Sequence, residues 1–224
     1  MRIALIHALK HSIPPIEASF ARLWPDSHRT NLLDDSLSAD LARDGELTPA
    51  MEQRFLTLAH YAAATGADGI LFTCSAFGPC IAACAKALPH IPVLTPNEAM
   101  IEEAAALVAT LGKPRGKVVL LASFAPTLAS MPAEFAVAAP QLEVVTCLAE
   151  GALAAMDRGD GAGHDQAAAH AAAAWPDADV IALAQFSLAR AEAAVALASG
   201  LPVLTTPDSA VRKMRRLLTQ REAA

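Results

Sequence analysis

Long apolar runs are missing from this chain. The segments Ile3–Ile6, Val118–Ala122 and Val180–Ala184 fall far short of the roughly 20 residues that cross a bilayer, so no membrane span is expected. A secretory leader is not expected either: Met1-Arg2 runs straight into a short strand-like segment, without a longer apolar stretch and a small-residue cleavage site. A cytoplasmic protein is the expectation. Positive charge is not in excess, since 17 Lys and Arg stand against 23 Asp and Glu for a net charge of -6, whereas nucleic-acid surfaces carry a basic face or stripe. The one basic cluster, Arg212, Lys213, Arg215, Arg216 and Arg221, reads as the solvated face of a C-terminal helix, where cations suit the unpaired carbonyls. Neither a nucleic acid nor a membrane is expected as partner.

Cysteine is scarce. Three of the four, Cys74, Cys80 and Cys84, crowd into one strand-turn-helix segment, with Cys147 far away; without signs of an oxidising compartment they are expected to be reduced. Zinc sites need a second ligand pair at characteristic spacing, and none is present, so no metal is expected and Cys80 and Cys84 read as helix packing. The glycine cluster at Gly159–Gly163 lacks the Gly-Lys-Ser/Thr ending of a phosphate loop and follows no strand. It reads as a flexible connection into a helix around Asp165–Ala174. No dinucleotide fingerprint follows Ile6 or Leu121, and neither a nucleotide nor an organic cofactor is expected.

What the sequence does contain is 224 residues, 54% of them hydrophobic, enough for a core in one or two domains. Short β-rich runs alternate with longer alanine-rich helical stretches, the pattern of βαβ units and parallel sheets. Strands are expected near residues 2–7, 29–34, 69–74, 92–95, 117–122, 142–147, 179–184 and 202–205. Thr48-Pro49 opens one helix, with threonine as N-cap and proline where a missing N–H costs nothing; Gly78-Pro79 opens another.

The unit occurs twice. "ADGILFTCSAFG" from Ala67 lies over "ADVIALAQFSLA" from Ala178, which sets Cys74 opposite Gln185. Downstream, "IPVLTPNEA" at Ile91 corresponds to "LPVLTTPDS" at Leu201. Upstream, "SFARLWP" ending at Pro25 corresponds to "EFAVAAP" ending at Pro140, and the same offset lays Ile3–Ile6 over Val118–Leu121 and Ser12 over Thr127. The shared order of the matches indicates a duplicated α/β protein of two halves, each a four-stranded parallel sheet, related by a pseudo-twofold axis. Residues 1–97 with a C-terminal helix over 207–224 make one half, and 98–206 the other. In such sheets ligands bind beyond the carboxyl ends of the strands, where Cys74 and Gln185 both fall, and pseudo-twofold packing would bring them toward one cleft.

At this point the residues resemble a known family. "GILFTCSAFG", "PVLTPNEAM", "ALAAMDRGD" with His164-Asp165, and "ADVIALAQFSLA" are similar to segments of the aspartate/glutamate/hydantoin racemase superfamily. The resemblance covers nearly the whole chain and implies two flavodoxin-like halves and cofactor-independent chemistry: racemisation, maleate isomerisation or arylmalonate decarboxylation. In the two-cysteine members one thiolate removes a proton beside a carboxylate and the other thiol returns one to the opposite face. The first of these maps onto Cys74. The second maps onto Gln185, which cannot exchange a proton in the working range.

One thiol suits several chemistries: proton transfer at the carbon next to the carboxylate of a small acid, decarboxylation of a malonate-type acid with Cys74 as proton donor, or thiolate addition to an activated double bond. Decarboxylases of the family carry their lone cysteine in the second half, so Cys74 implies the opposite product handedness. The rival from another class is a non-catalytic binder of small carboxylates. Cys74 itself could be a packed thiol, since free cysteine is often buried; a thiol pKa below the free value would favour the enzyme.

Around Cys74, Ser75 and Ala76 are candidate backbone donors for charge building on a substrate carboxylate. Ser12 and Thr127 either bind substrate or cap the next helix. His7 and His11, with Lys10 between them, could supply charge or acid-base function. Asn97, with Glu98, either caps a helix or contacts ligand. Phe186 could fill space a substrate group would otherwise take, and Ser187 is a further candidate beside it. With Phe72, Phe77, Phe124, Phe135 and Phe186 near the expected site loops, a rather apolar substrate is expected. A homodimer is an expectation on family grounds alone.

Overall fold

In a computed structural model, which describes residues 1–113 and 115–222, the chain runs β1 (Arg2–His7), α1 (Ile13–Leu23), β2 (His28–Leu33), α2 (Ser36–Asp44), α3 (Pro49–Ala64), β3 (Gly69–Phe72), α4 (Gly78–Ala87) and β4 (Val93–Leu94). It continues through α5 (Glu98–Thr110), β5 (Gly116–Ala122), α6 (Ala125–Ala138), β6 (Leu142–Leu148), α7 (Ala152–Asp157), α8 (Gly161–Ala173), β7 (Val180–Leu183), α9 (Glu192–Ser199), β8 (Val203–Thr205) and α10 (Thr206–Glu222). Two compact units result, Met1–Pro96 with Ala210–Ala224, and Asn97–Ser209. Each holds a four-stranded parallel sheet, ordered β2-β1-β3-β4 in the first and β6-β5-β7-β8 in the second. The duplicated α/β architecture is thus present in both.

Parallel strands covered by helices on both faces lose the polar alternation of a half-exposed strand. β3 (GILF) and β7 (VIAL) are buried at every position, whereas the outer strands β2 and β6 alternate. In the second unit the period of two sorts the centre into two layers. Val118, Leu120, Val180 and Ala182 pack with Met100 and Phe135, while Val119, Leu121, Ile181 and Leu183 pack with Ala168, Ala172 and Val195. The first unit is more aromatic: Phe55 stacks on Phe72 at 5.2 Å and meets Phe77 at 4.9 Å between centroids. Cys80 and Cys84 are buried in that core.

Local signals explain much of the repeat. The Ala-Asp pair before each central strand is a clamp: Arg2 N–H donates to Asp68 Oδ2 at 2.6 Å, and Lys117 N–H donates to Asp179 Oδ2 at 2.8 Å. Phe20 and Phe135, the shared phenylalanines, are both fully buried at the ends of α1 and α6. Thr48 caps α3 through Met51 N–H at 3.2 Å, with Pro49 first in the helix. Two differences from the sequence reading concern ends. β3 stops at Phe72, so Thr73 and Cys74 stay extended without a full ladder, since its neighbour β1 ends at His7. The glycine cluster is a short turn at Gly159 and then helix: Asp160 accepts from Gly163 N–H at 2.8 Å and starts α8 at Gly161, earlier than expected. A Cβ on Gly161 would fall on the Arg190 guanidinium, which would have to swing aside.

Candidate active site

Each sheet reverses its strand order between its two central strands, and ligands of doubly wound sheets collect beyond the carboxyl ends at such a point. In the first unit these ends are His7 of β1 and, past β3, Thr73 and Cys74. Thr73 N–H donates to Ile6 C=O at 3.0 Å, continuing the ladder by one bond. Cys74 follows in an extended conformation and caps a 3-10 turn, Ser75–Phe77. The sulfur is half-buried. Burial pushes its thiol up, against the downward pull of the Ala76 N–H and the Ser38 hydroxyl. Desolvation outweighs the local donors, so the resting group is a thiol, not the lowered-pKa thiolate that would have favoured the enzyme on reactivity alone. Ser75 is half-buried and Ala76 exposed.

Thr73, the residue before this thiol, belongs to a polar cluster that the sequence only partly announced. His7 is 0% exposed; its Nδ1 lies 2.8 Å from Thr73 Oγ1 and its Nε2 2.8 Å from Asn31 Oδ1. Asn31 donates through Nδ2 to Glu17 Oε1 at 2.9 Å, and Arg29 Nε donates to Glu17 Oε2 at 2.9 Å. Ser12 Oγ lies 2.9 Å from Thr73 Oγ1 and donates to Leu9 C=O at 2.7 Å. Burial lowers the His7 pKa below 6.5, against the Asn31 hydrogen bond and the Glu17 charge, which raise it. Ser12 precedes α1 without a side-chain capping bond, so its hydroxyl belongs to this cluster and not to the helix end. His11 and Lys10 are exposed.

In the second unit the equivalent ends are Ala122 and, past β7, Ala184 and Gln185. Gln185 is extended and caps the 3-10 turn Phe186–Ala191. Its Oε1 accepts from Ser123 N–H at 2.7 Å and from Ser123 Oγ at 3.0 Å. Phe186 is buried and Ser187 half-buried. Thr127 is buried as the third residue of α6, whose cap position is Phe124. Asn97 stands at the cap of α5, but its side chain makes no capping bond; Nδ2 donates to both oxygens of Glu134 at 3.2 Å. Burial raises the Glu134 carboxyl despite that donor. Among the described residues the buried Asn97 Oδ1 has no partner. His164 is buried in α8 with Nδ1 on Asp165 Oδ1 at 2.9 Å, and Arg190 grips the same carboxylate.

Thr73, Asn31, Ser38, Ser123 and Glu134 were not singled out from sequence. For Ser123 a signal existed, since it lies at the carboxyl end of the strand matched to β1. The others come from register and helix packing, which no local pattern reports.

The fold and these strand ends define a duplicated α/β protein with flavodoxin-like halves. No family model and no curated sequence matches the chain. Solved structures do. Glutamate racemase isoform RacE1 from Bacillus anthracis superposes with a TM-score of 0.72 at 14% identity, over 98% of this chain and 82% of that one. Allantoin racemase from Klebsiella pneumoniae gives 0.73 at 14% identity, over 98% and 88%. Unliganded arylmalonate decarboxylase gives 0.66 at 22% identity, over 97% and 92%. The chain has the duplicated fold of these racemases and this decarboxylase. Among the described residues no helix is long and apolar enough to cross a membrane.

Proposed function

We propose that the protein is a cofactor-independent enzyme that moves a proton at the carbon next to the carboxylate of a small acid, with Cys74 as its one acid-base thiol. The observation that carries this reading is the unlike pair at equivalent strand ends: a half-buried thiol in one half, and in the other a glutamine whose Oε1 is held by the Ser123 N–H and hydroxyl. An amide so held binds but does not exchange a proton.

In the forward step the resting Cys74 thiol gives its proton to solvent, the thiolate takes the α-proton, and the C–H electron pair moves into an enediolate on the carboxylate. The charge on its oxygens needs preorganised donors, for which the N–H groups of Ser75 and Ala76 are the candidates. The thiol then returns a proton to the face it came from. The outcome is exchange with retained configuration.

A second reading, decarboxylation of a malonate-type acid, is favoured by the upward shift of the Cys74 thiol. Here the C–C bond breaks, carbon dioxide leaves, and the enediolate takes the proton that the resting thiol carries; solvent restores it. No base is needed to begin.

Proton nuclear magnetic resonance in deuterated buffer tests both, comparing wild type with Cys74→Ala over α-substituted carboxylates, hydantoins and malonates. Exchange of an α-proton with retained chirality supports the first reading, and loss of carbon dioxide to one enantiomer the second, provided the variant does neither. A wild type that binds members of the panel but transforms none is a carboxylate binder, and both readings fall.

A further inference from the structure

The His7 cluster contains more contacts than a neutral imidazole can supply with hydrogens. Four contacts of 2.7–2.9 Å form one chain: Nε2 to Asn31, Nδ1 to Thr73, Thr73 to Ser12, and Ser12 to the Leu9 carbonyl. Each needs one hydrogen. Thr73 and Ser12 carry one apiece, and a neutral histidine carries one more. The sum is one short.

Where the ring hydrogen sits follows from the far end of the chain. Arg29 keeps Glu17 an acceptor, so Asn31 must turn Nδ2 toward Glu17 and Oδ1 toward His7. An oxygen facing Nε2 requires Nε2–H. The neutral ring therefore has a bare Nδ1, which takes the Thr73 hydrogen; the Ser12 hydrogen goes to Leu9, and two hydroxyl oxygens 2.9 Å apart share none. Protonation at Nδ1 supplies the missing hydrogen, and every bond then runs one way, from Nδ1 to Thr73 to Ser12 to Leu9.

We propose that His7 is a positioning residue that stores a proton beside Thr73 and sets which way the Thr73 hydroxyl points, while Ser12 donates to Leu9 in both states. With His7 neutral the Thr73 O–H faces the ring. With His7 charged it faces Ser12, and a positive charge stands at the carboxyl end of β1. The other charges around the ring are already paired: Glu17 of α1 with Arg29 of β2, and Asp34, whose N–H holds the His7 carbonyl at 3.0 Å, with Arg54 of α3. Lys10 and His11 lie exposed in the turn before α1, and Cys74 follows Thr73. The duplicate positions of His7 and Thr73 are Ala122 and Ala184, so the second half has no counterpart.

Only the catalytic consequence, a positive charge at the carboxyl end of β1 that follows the His7 proton and attracts a substrate carboxylate, rests on the proposed function. The test reads the free protein. With 15N-labelled histidine, His7 is assigned among the seven histidines by the signal lost in His7→Gln. Wild type is expected in the Nε2–H tautomer when neutral, titrating below 6.5. Thr73→Val should move that midpoint down by about one pH unit, the loss of an acceptor for a charged donor. Ser12→Ala should move it by roughly half as much, and Thr73→Ser should restore it. If Thr73→Val does not fold, Ser12→Ala and Thr73→Ser carry the test. Equal midpoints in wild type and Ser12→Ala, or an Nδ1–H tautomer in the neutral ring, overturn the proposal whether or not any acid is turned over.

Discussion

The two halves share strand order, register and the Asp clamp before the third strand, yet the ends of their central strands carry opposite chemistry. In the first, His7, Thr73 and Cys74 end or follow β1 and β3; in the second, Ala122, Ala184 and Gln185 occupy the same places, and Ser123 holds the Gln185 amide oxygen. Duplication preserves what makes a sheet and leaves its end residues free to differ, because backbone ladders and apolar layers do not depend on the side chain that follows the last rung. At these strand ends the first half carries groups that can gain and lose protons, and the second a fixed amide.

The largest test of this contrast is chemical. Cys74→Ala should lower turnover by roughly 10²–10⁴-fold, the usual worth of one acid-base group. Cys147→Ala, at a half-buried residue of β6 whose sulfur lies 3.7 Å from the Ala171 carbonyl, should leave turnover within about two-fold. Equal losses would remove the assignment to the first half.

Core truncations come next. Phe55→Ala in the first unit empties a site between two rings, 5.2 and 4.9 Å away, and should cost about 3–5 kcal/mol by urea denaturation. Phe135→Ala, surrounded by aliphatic side chains, should fall at the lower end of that range because a pair of ring contacts is not lost with it. A larger loss from Phe135 would contradict the difference between the two cores.

Two strand glycines sharpen the comparison further. A Cβ on Gly116 would fall on the branched Val108 side chain of α5, while one on Gly69 would meet the Met214 sulfur at 2.6 Å. Valine cannot turn aside and methionine can. Gly116→Ala should therefore cost about 1–3 kcal/mol, and Gly69→Ala less than about 1 kcal/mol, both read from thermal melts.

The smallest effects are in pH. His7 has a folded pKa below its ordinary 6.5, so the stability linked to it is complete above 6.5 and is lost as the pH falls through the folded value. Glu134 has a folded pKa above its ordinary 4.5, so its contribution is complete below 4.5 and is lost as the pH rises through the folded value. The halves should respond in opposite directions. His7→Gln should flatten the acid limb of a stability–pH profile, and Glu134→Gln the limb rising from 4.5; a profile unchanged by either substitution would show that these burials carry no linked proton.

Much of this was legible before any coordinates. All eight strands fall at their expected places, the Thr48-Pro49 cap holds, and Cys74 and Gln185 occupy equivalent strand ends. The state of those groups was not. Ser12 and Asn97 stand where helix caps belong but turn their side chains to Thr73 and Glu134 instead, since a buried polar partner competes well with an exposed helix end. Cys74 sits beside N–H and O–H donors, yet burial raises its pKa, a balance that depends on surroundings from α2 as well as its own turn.

The sequence by itself determined the duplicated parallel architecture, because strand burial, capping and clamp residues act over a few positions and leave a periodic trace. Only the tertiary structure decided the chemistry of the site. His7 meets Asn31 across 24 residues and Thr73 across 66, distances closed by strand register, and the number of hydrogens available to bonded atoms becomes a constraint only once those atoms are brought within reach of one another.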